Sequence, residues 1–322
     1  MSESDNLLRR GVKLAHLRLM AALAETGQLG AAADLLGVAQ PAASRLLAEV
    51  ERIAGQPVHQ RTGRGITLTP MGHALARRAE RVVMELRDAG REIAEIASGG
   101  SGHVRIGSVT GPALDRVLPA LRTARLALPQ VTAEVVVAPS DLLAQQLLAG
   151  RLDFAIGRMP EGMEGQLHLS DPIGVEPVAL MVRRGHRLAM MPDVAPGDLM
   201  GFDWVMPGPG ALLNRAVTDR LRALGLPQPP QRLATASFLL TLALIQQSNA
   251  IAPLARAVCD RFARPESPYV ILPVDLGIVV EPFGLLTRAG AILTPVAARL
   301  AGMVVAQGGE PAVADGAGDR QG

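Results

Sequence analysis

The spacing of apolar residues between positions 16 and 68 predicts three short helices followed by two short strands. Apolar residues in the helical part recur at steps of three and four, as they do along a helix that packs on one face. They are Leu19, Ala22, Leu23, Ala31, Ala32, Leu35, Leu36, Leu46, Leu47, Val50 and Ile53. Gly37 can end the second helix in a left-handed conformation, and Pro41 is tolerated only in the first turn of the third. Two helices joined by so tight a turn form a helix-turn-helix, which presents its second helix to the DNA major groove.

The outward side of that second helix separates a DNA reader from an ordinary helical hairpin. With the apolar residues inward, the first turn leaves Gln40, Ser44 and Arg45 facing out. These side chains bond base edges or phosphates. We assign Pro41, in the same turn, to the same DNA-binding surface.

The segment after this helix predicts a basic wing. Two strand-like runs, at residues 58–61 and 66–68, flank a turn that carries Arg61 and Arg64. Seven arginines and three glutamates between residues 40 and 81 give that segment a charge of +4, although the net charge of the chain is only +2. Such a concentration is typical of a nucleic-acid partner. We therefore expect the wing to lie along the phosphate backbone of double-stranded DNA.

Residues 70–97 predict one long helix, with Thr69 as its N-cap and Pro70 at its first position. Its apolar residues alternate steps of four and three, which is the heptad pattern of a coiled coil. They are Leu75, Ala79, Val82, Leu86, Ala89, Ile93 and Ile96. So narrow a seam favours a partner helix, and a homodimer has the two-fold symmetry that paired DNA half-sites require. The alternative is that the helix packs on its own downstream domain.

Beyond a glycine- and serine-rich hinge at residues 98–102, the pattern changes to strands interleaved with helices. Predicted strands lie at 104–109, 131–137, 153–157, 178–183, 204–206, 250–253, 270–274 and 282–288. Predicted helices lie at 112–127, 141–149, 212–224, 238–247 and 295–305. This order predicts an α/β fold built on a parallel sheet that is covered on both faces. Residues 307–322 are small and polar, so we expect a disordered tail.

Several junctions between a strand and a helix predict a ligand site. Ligands bind at the carboxyl ends of parallel strands, where helix N-termini aim backbone N–H groups into a cleft. The junction residues are Ser108, Thr110, Gly111, Ser140, Pro207, Gly208, Gly210 and Ser237, and Arg158 follows a predicted strand as a partner for a carboxylate. Helix capping alone also explains each of them. Together they favour an organic carboxylate over a neutral sugar, because only one Trp, one Tyr and five Phe are present to stack on a sugar.

The sequence offers no motif for an enzyme, a metal site or a cofactor. It lacks GxxxxGK[ST], HExxH, CxxC and GxSxG, and its six histidines are scattered. The single cysteine, Cys259, is interpreted as a buried inert thiol rather than a redox sensor. Neither an apolar run of about 18 residues nor a signal peptide is present, so we expect a cytoplasmic protein without a membrane span.

A resemblance to the LysR-type transcriptional regulators is carried by AAADLLGVAQPAASRLLAEVE and GRGITLTPMGHAL, and it extends to about Arg299. Through GRGITLTPMG, HVRIGSVTGPAL and LDFAIGRM the chain most resembles members related to regulators of aromatic-acid and sugar uptake or degradation. It departs from the family where Gln28 and Ala39 replace small hydroxyl residues and where His59 replaces Phe. The resemblance implies a winged helix-turn-helix, a dimerisation helix and a two-lobed effector domain similar to periplasmic binding proteins.

The domains implied by this resemblance are a DNA-binding domain at 12–69, a linker helix at 70–98, an effector domain at 103–306 and the tail at 307–322. One lobe comprises 103–174 and 282–306, and the other comprises 175–276, with two chain crossings between them.

The function implied is that of a transcriptional regulator, a dimer or a tetramer of two dimers, that binds promoter DNA. A small-molecule effector contacts Thr110, Ser140 and residues 207–210, and RNA polymerase is a candidate partner. The alternative is a helical-dimer ligand sensor that acts through protein contacts without DNA binding, which leaves the outward face at Gln40, Ser44 and Arg45 unexplained.

Overall fold

The computed structural model describes residues 6–62, 65–230 and 233–307. Tertiary contacts divide the chain into two units, Met1–Ile96 and Ala97–Gly322. None of the described helices is both long enough and apolar enough to cross a lipid bilayer. Arg64, predicted on the wing, and residues 308–322 of the predicted tail lie outside the described residues.

The described part of the first unit contains five helices and a two-stranded hairpin. In chain order these are α1 (Asn6–Arg9), α2 (Leu14–Thr26), α3 (Leu29–Leu36), α4 (Gln40–Ala54), β1 (His59–Thr62), β2 (Gly65–Leu68) and α5 (Pro70–Ala97). The helix-turn-helix is formed by α3 and α4, and the antiparallel pair of β1 and β2 forms the wing. The predicted order of helices and strands is confirmed, with α1 as an addition that the apolar pattern did not indicate.

The turn between α3 and α4 ends one helix and starts the next within three residues. Gly37 has a φ of 68°, in the left-handed region, and the amide of Val38 donates to the carbonyl of Ala33 at 3.0 Å. Pro41 stands in the first turn of α4, where a missing N–H leaves no helical bond unmade. Both predicted roles are confirmed.

The core of the first unit is formed by α2, α3, α4, the start of α5 and the base of the wing. Its most buried members include Leu19, Met20, Leu23, Leu47, Val50 and Val58. The prediction is wrong at Leu35, which is 57% exposed, and Leu46 is only half-buried. Because α3 directs Ala32 and Ala33 inward, Leu35 falls on the outer side of that helix.

The second unit is an α/β structure. Its elements are β3 (Gly102–Ser108), α6 (Thr110–Pro112), a π-helical turn (Ala113–Val117), α7 (Leu118–Ala127), β4 (Val131–Val137), α8 (Ser140–Leu148), β5 (Phe154–Gly157), β6 (Leu167–Leu169), β7 (Gly174–Arg183), two 3-10 turns (Arg187–Met190 and Pro196–Gly201), β8 (Val205–Met206), α9 (Leu212–Ala223), β9 (Leu233–Ala234), α10 (Phe238–Gln247), β10 (Ala252–Ala255), α11 (Arg256–Phe262), β11 (Tyr269–Ile271), β12 (Val279–Arg288) and α12 (Pro295–Ala306).

The main sheet of this unit is mixed rather than parallel, which corrects the prediction. Its strand order is β10-β7-β12-β5-β3-β4, with β11 also on β7 and β6 also on β12. Strand β3 runs parallel to β4 and β5, whereas β12 runs antiparallel to both β5 and β7. The reason is that β12, the last strand in the sequence, inserts between β5 and β7 and runs opposite to both. A smaller parallel pair is formed by β8 and β9.

Separate groups of buried side chains give the second unit two lobes. The first lobe packs around Val104, Ile106, Phe154, Ile156 and Phe283, and the second lobe packs around Val178, Val182, Trp204, Val217 and Ile251. Strands β7 and β12 pass from one lobe to the other. On β12, Val280 belongs to the second core and Phe283 to the first, and the pairing with β7 shifts register between them.

In the first unit, the base of the wing is held by the start of α5. The amide of Thr69 donates to the carbonyl of Val58 at 3.0 Å, and the hydroxyl of Thr69 donates to the carbonyl of Pro57 at 2.8 Å. The same hydroxyl accepts from the amide of Gly72 at 3.1 Å, which confirms Thr69 as the N-cap. Helix α5 passes so close to the wing base that a Cβ on Gly72 would overlap the carbonyl oxygen of Val58.

We expect Gly72→Ala to lower the free energy of unfolding of the first unit by about 2 kcal/mol or more, because a backbone carbonyl cannot rotate away from the new methyl group. The matched control is Gly30→Ala in α3, where a Cβ meets no atom within 4 Å. This control is expected to keep or raise stability by up to about 1 kcal/mol. Chemical denaturation measures both variants, and equal stabilities would contradict the packing described for Gly72.

Candidate nucleic-acid interface and effector site

The start of α4 presents the polar face that the sequence predicts. Gln40, Pro41, Ser44 and Arg45 are all exposed. The opposite side of the same helix is buried through Ala43, Leu47, Val50 and Ile53. The Arg45 Nε donates to the carbonyl of Pro41 at 3.4 Å, so the guanidinium lies beside the first turn of α4. The predicted outward face is therefore confirmed as a surface.

Helices α3 and α4 both begin without a side-chain cap. Gln28 and Ala39 occupy the two N-cap positions with extended backbones, and neither makes a side-chain capping bond. These are the two positions at which the sequence departs from the small hydroxyl residues of the resembled family. A helix start without an internal cap leaves backbone N–H groups that can face a phosphate.

A histidine fixes the middle of α4 against α2. The Nε2 of His16, which is 1% exposed, lies 3.0 Å from Oε2 of Glu49, and its Nδ1 accepts from the amide of Lys13 at 3.0 Å. Because Nδ1 accepts, Nε2 carries the hydrogen that is donated to Glu49. This hydrogen bond holds the pKa of Glu49 below its ordinary value. The sequence indicated His16 only as the start of the helical pattern.

The wing hairpin pairs His59 with Leu68 and Arg61 with Ile66. Arg61 thus stands in β1, as predicted. The side chain of Arg61 and the whole of Arg64 lie outside the part of the chain that the structure describes.

The apolar stripe of α5 divides into two parts. At its start, Leu75 and Ala79 pack into the core of the first unit. These two predicted seam positions therefore face their own domain and not a partner helix. Further along, Val82 is 42%, Leu86 51%, Ile93 68% and Ile96 68% exposed. We call these four residues the open stripe. Apolar side chains that recur on one helix face and stay exposed in a single chain are typical of a helix that meets another copy.

In the first lobe, the predicted ligand residues differ in accessibility. Thr110 is exposed at the start of α6, whereas Ser108 is fully buried and its hydroxyl donates to the carbonyl of Val109 at 3.0 Å. Gly111 lies against the second lobe, since an added Cβ would lie 2.7 Å from Oε1 of Glu176 and 3.1 Å from Cβ of Ala255. Thr110 therefore stands at the junction of the lobes, and the buried Ser108 lies two residues before it in the chain.

Arg158 is held by the protein itself. Its NH2 group donates to Oε2 of Glu176 at 2.6 Å, and its Nε donates to the carbonyl of Glu281 at 2.6 Å. The side chains of this ion pair are 7% and 15% exposed. Arg158 therefore pairs with the carboxylate of Glu176 on β7 rather than with that of a ligand. The sequence could not show this, because it does not reveal which distant acid the fold brings to a buried arginine.

The surroundings of this ion pair were not predicted. The guanidinium groups of Arg158 and Arg116 lie 5.9 Å and 5.8 Å from the ring centre of Phe283. Arg116 also donates to the carbonyl of Ile173 at 2.7 Å. A sequence signal existed only for Glu176, a charged residue inside an otherwise apolar strand.

The remaining predicted residues start helices near the lobe junction or in the second lobe. The hydroxyl of Ser140, at the start of α8, accepts from the amide of Arg158 at 3.1 Å. The hydroxyl of Ser237 accepts from the amide of Leu240 at 3.3 Å and so caps α10. Pro207 accepts from Nδ2 of Asn214 at 2.7 Å. The loop glycines Gly208 and Gly210 have open space where a side chain would stand.

A cavity of about 640 Å³ lies elsewhere, between α9 and the segment 277–281, and no predicted ligand residue lines it. No group of three or more His, Cys, Asp or Glu side chains in the described part of the chain is placed to hold a metal. Cys259 is fully buried, and burial raises its pKa to about 12. Burial and a raised pKa both disfavour the reactive thiolate, which supports the prediction of an inert thiol.

A winged helix-turn-helix, a long helix and a two-lobed α/β unit define a class of DNA-binding regulators that carry a ligand-binding domain. Residues 14–73 match the family described as bacterial regulatory helix-turn-helix protein, lysR family, and residues 97–309 match the LysR substrate binding domain. The chain belongs to the LysR family of transcriptional regulators. It is a DNA-binding transcriptional regulator with an effector-binding domain, as its sequence predicted.

Known proteins resemble this chain in sequence or in fold. The chain is 44% identical over 249 residues to the HTH-type transcriptional regulator GbpR of Rhizobium radiobacter, covering 77% of this chain and 82% of that protein. The crystal structure of ArgP from Mycobacterium tuberculosis matches with a TM-score of 0.66 at 18% identity, over 91% of this chain and 96% of ArgP. Full-length CbnR in complex with its target DNA matches with a TM-score of 0.52 at 23% identity, over 92% of this chain and 99% of CbnR.

Arg45→Ala is expected to weaken binding to a selected DNA site by roughly 1–3 kcal/mol, because an arginine at the exposed start of α4 is suited to read a base edge. The control is Arg52→Ala, which removes an exposed arginine from the last turn of the same helix. Affinities are measured on a duplex enriched by the wild-type protein and on a random duplex. A wild-type ratio of the two affinities in Arg45→Ala would show that Arg45 reads no base.

Proposed function

We propose that this regulator reads its operator through the exposed start of α4. The observation that carries the proposal is the division of that helix into a buried side and a polar outward side. The outward residues are Gln40, Pro41, Ser44 and Arg45. A helix fixed this firmly on one side presents the other in one orientation, as base readout in the major groove requires.

The wing supplies the second part of the proposed DNA contact. Arg61 in β1 and Arg64, which the sequence predicts on the wing, would lie along the phosphate backbone, where they add affinity without sequence preference. The charge of +4 between residues 40 and 81 supports this role. The proposed DNA-binding domain comprises residues 12–69.

The proposed assembly is a homodimer formed through the open stripe of α5, within a linker at residues 70–98. A dimer places two copies of α4 on two DNA half-sites. Two such dimers would form the homotetramer that the family resemblance implies. RNA polymerase is the proposed downstream partner, in the cytoplasm, because a transcriptional regulator acts where the polymerase meets the promoter.

The proposed effector is a small organic acid that binds where the two lobes meet, within an effector domain at residues 103–306. Thr110, Gly111 and Ser140 approach this junction from the first lobe, and residues 207–210 and Ser237 belong to helix starts of the second. Helix starts carry partial positive charge and N–H groups, which suit oxygen acceptors. Arg158 is not among the proposed effector contacts, since the carboxylate of Glu176 neutralises its charge.

The proposed signal is a change in the relative position of the lobes. Strands β7 and β12 connect the lobes, so an effector that contacts both lobes favours one arrangement over another. Its differential affinity for the two arrangements sets the size of the response.

The dimer proposal predicts that Leu86→Glu combined with Ile93→Glu yields monomers at micromolar concentration, because each charge would face an apolar partner helix. The control combines Met190→Glu with Ile292→Glu, which places two charges at residues that are 77% and 78% exposed outside α5. Sedimentation analysis measures both proteins. A stable dimer in the Leu86 and Ile93 variant would remove the open stripe from the interface.

The effector proposal predicts that Thr110→Val weakens binding of an organic acid about tenfold, the effect of one lost hydrogen bond. Thr123→Val is the control, since Thr123 is exposed on α7 and its hydroxyl donates to its own helix at Pro119. A calorimetric screen of organic acids and neutral sugars against the three proteins provides the measurement. Binding of sugars alone, or of acids equally to all three, would contradict the proposed site.

A further inference from the structure

We infer that Glu51 and His59 form a positioning contact that sets the direction of the wing relative to the DNA-reading helix α4. The inference rests on the proposed contact between the wing and DNA phosphates. It assigns to both residues a part in DNA binding without requiring that either touch DNA.

The contact joins the end of α4 to the first residue of the wing. One oxygen, Oε1 of Glu51, accepts from the amide of Val58 at 3.0 Å and lies 2.9 Å from Nδ1 of His59. A carboxylate only accepts, so His59 donates from Nδ1. The two side chains are 30% and 17% exposed, which removes most of the competition from water. One side chain of α4 therefore fixes both the backbone and the side chain at the entry to β1.

The other side of the same segment is fixed by α5. The carbonyls of Pro57 and Val58 accept from the hydroxyl and the amide of Thr69, as described above. Val58 itself is 1% exposed in the core. The wing base is thus held from the α5 side by the hydroxyl and the amide of Thr69, and from the α4 side by the carboxylate of Glu51.

Small changes at this base are amplified along the wing. Its strands have four residues each, so the hairpin extends about 13 Å from its base. A tilt of about 15° at the base would move the tip by about 3 Å, which exceeds the tolerance of a hydrogen bond to phosphate. Loss of the Glu51 contact would therefore reduce phosphate binding while α4 keeps its place in the core.

The chain contains a matched contact that does not reach the wing. Glu49 lies on the same helix and bonds His16 of α2 at 3.0 Å. Removing Glu49 deletes a similar carboxylate–histidine contact and a similar negative charge. The pair of glutamates thus separates an effect on the wing from a general effect on the helix-turn-helix.

The test measures how the affinity of the full-length protein for a random-sequence duplex changes with salt. Glu51→Ala and His59→Ala are each expected to flatten the slope of log K against log salt concentration by about two per dimer, one for each wing. Arg61→Ala is expected to flatten it equally, and adding His59→Ala to Arg61→Ala is expected to change it no further.

Three variants are expected to keep the wild-type slope. Glu51→Gln keeps the accepting oxygen and removes only the charge, His59→Asn keeps a donor close to the position of Nδ1, and Glu49→Ala leaves the wing untouched. Thermal unfolding checks that each protein is folded. If Glu51→Ala does not fold, the comparison of His59→Ala with His59→Asn decides the question.

Equal slopes for His59→Ala and His59→Asn, with a flattened slope in Arg61→Ala, would overturn the positioning role and leave the wing contact with DNA standing. A wild-type slope in Arg61→Ala would instead show that Arg61 does not contact phosphate. That result would overturn the proposed role of Arg61 in the wing contact, and with it this inference, which expects one phosphate contact per wing to be lost.

Discussion

One buried ion pair joins three strands of the second unit at the place where the chain crosses between the lobes. Arg158 stands at the end of β5, in the first lobe, and bonds β7 through Glu176 and β12 through the carbonyl of Glu281. A buried guanidinium is costly unless all its neighbours compensate it, and here two strands and the ring of Phe283 do so. Because these partners lie on both crossing strands, movement of the lobes must bend the strands around this pair or break it.

The first unit solves a different problem, which is to hold one helix rigidly while leaving half of it open. Burial of Leu47, Val50 and Ile53 supplies the stability, and polar contacts with His16 and His59 join α4 to α2 and to the wing. Sequence readout and phosphate attraction can then be separated, because they are carried by different elements on one scaffold. The departures at Gln28 and Ala39 do not disturb this arrangement, since both helices form without a side-chain cap.

The elements of the first unit were predictable because each depends on local chemistry. The helix period, Gly37 at a helix end and Pro41 and Thr69 at helix starts identified α2 to α5 and their turns. Prediction failed where the outcome depends on distant residues. The strand direction of β12, the pairing of Arg158 with Glu176 and the burial of Ser108 are all set by segments far apart in sequence. Leu35 and Leu75 show a related limit, because an apolar period identifies a face and does not say which partner covers it.

The burial of Cys259 has a practical consequence. The chain has no other cysteine, and burial both shields this thiol from maleimides and weak oxidants and raises its pKa to about 12, which disfavours the reactive thiolate at neutral pH. A cysteine introduced at an exposed position in each lobe would therefore be labelled without removing the natural one. Distances between two spin labels or fluorophores would then record how far the lobes move when a ligand is added, in a protein that keeps its natural Cys259.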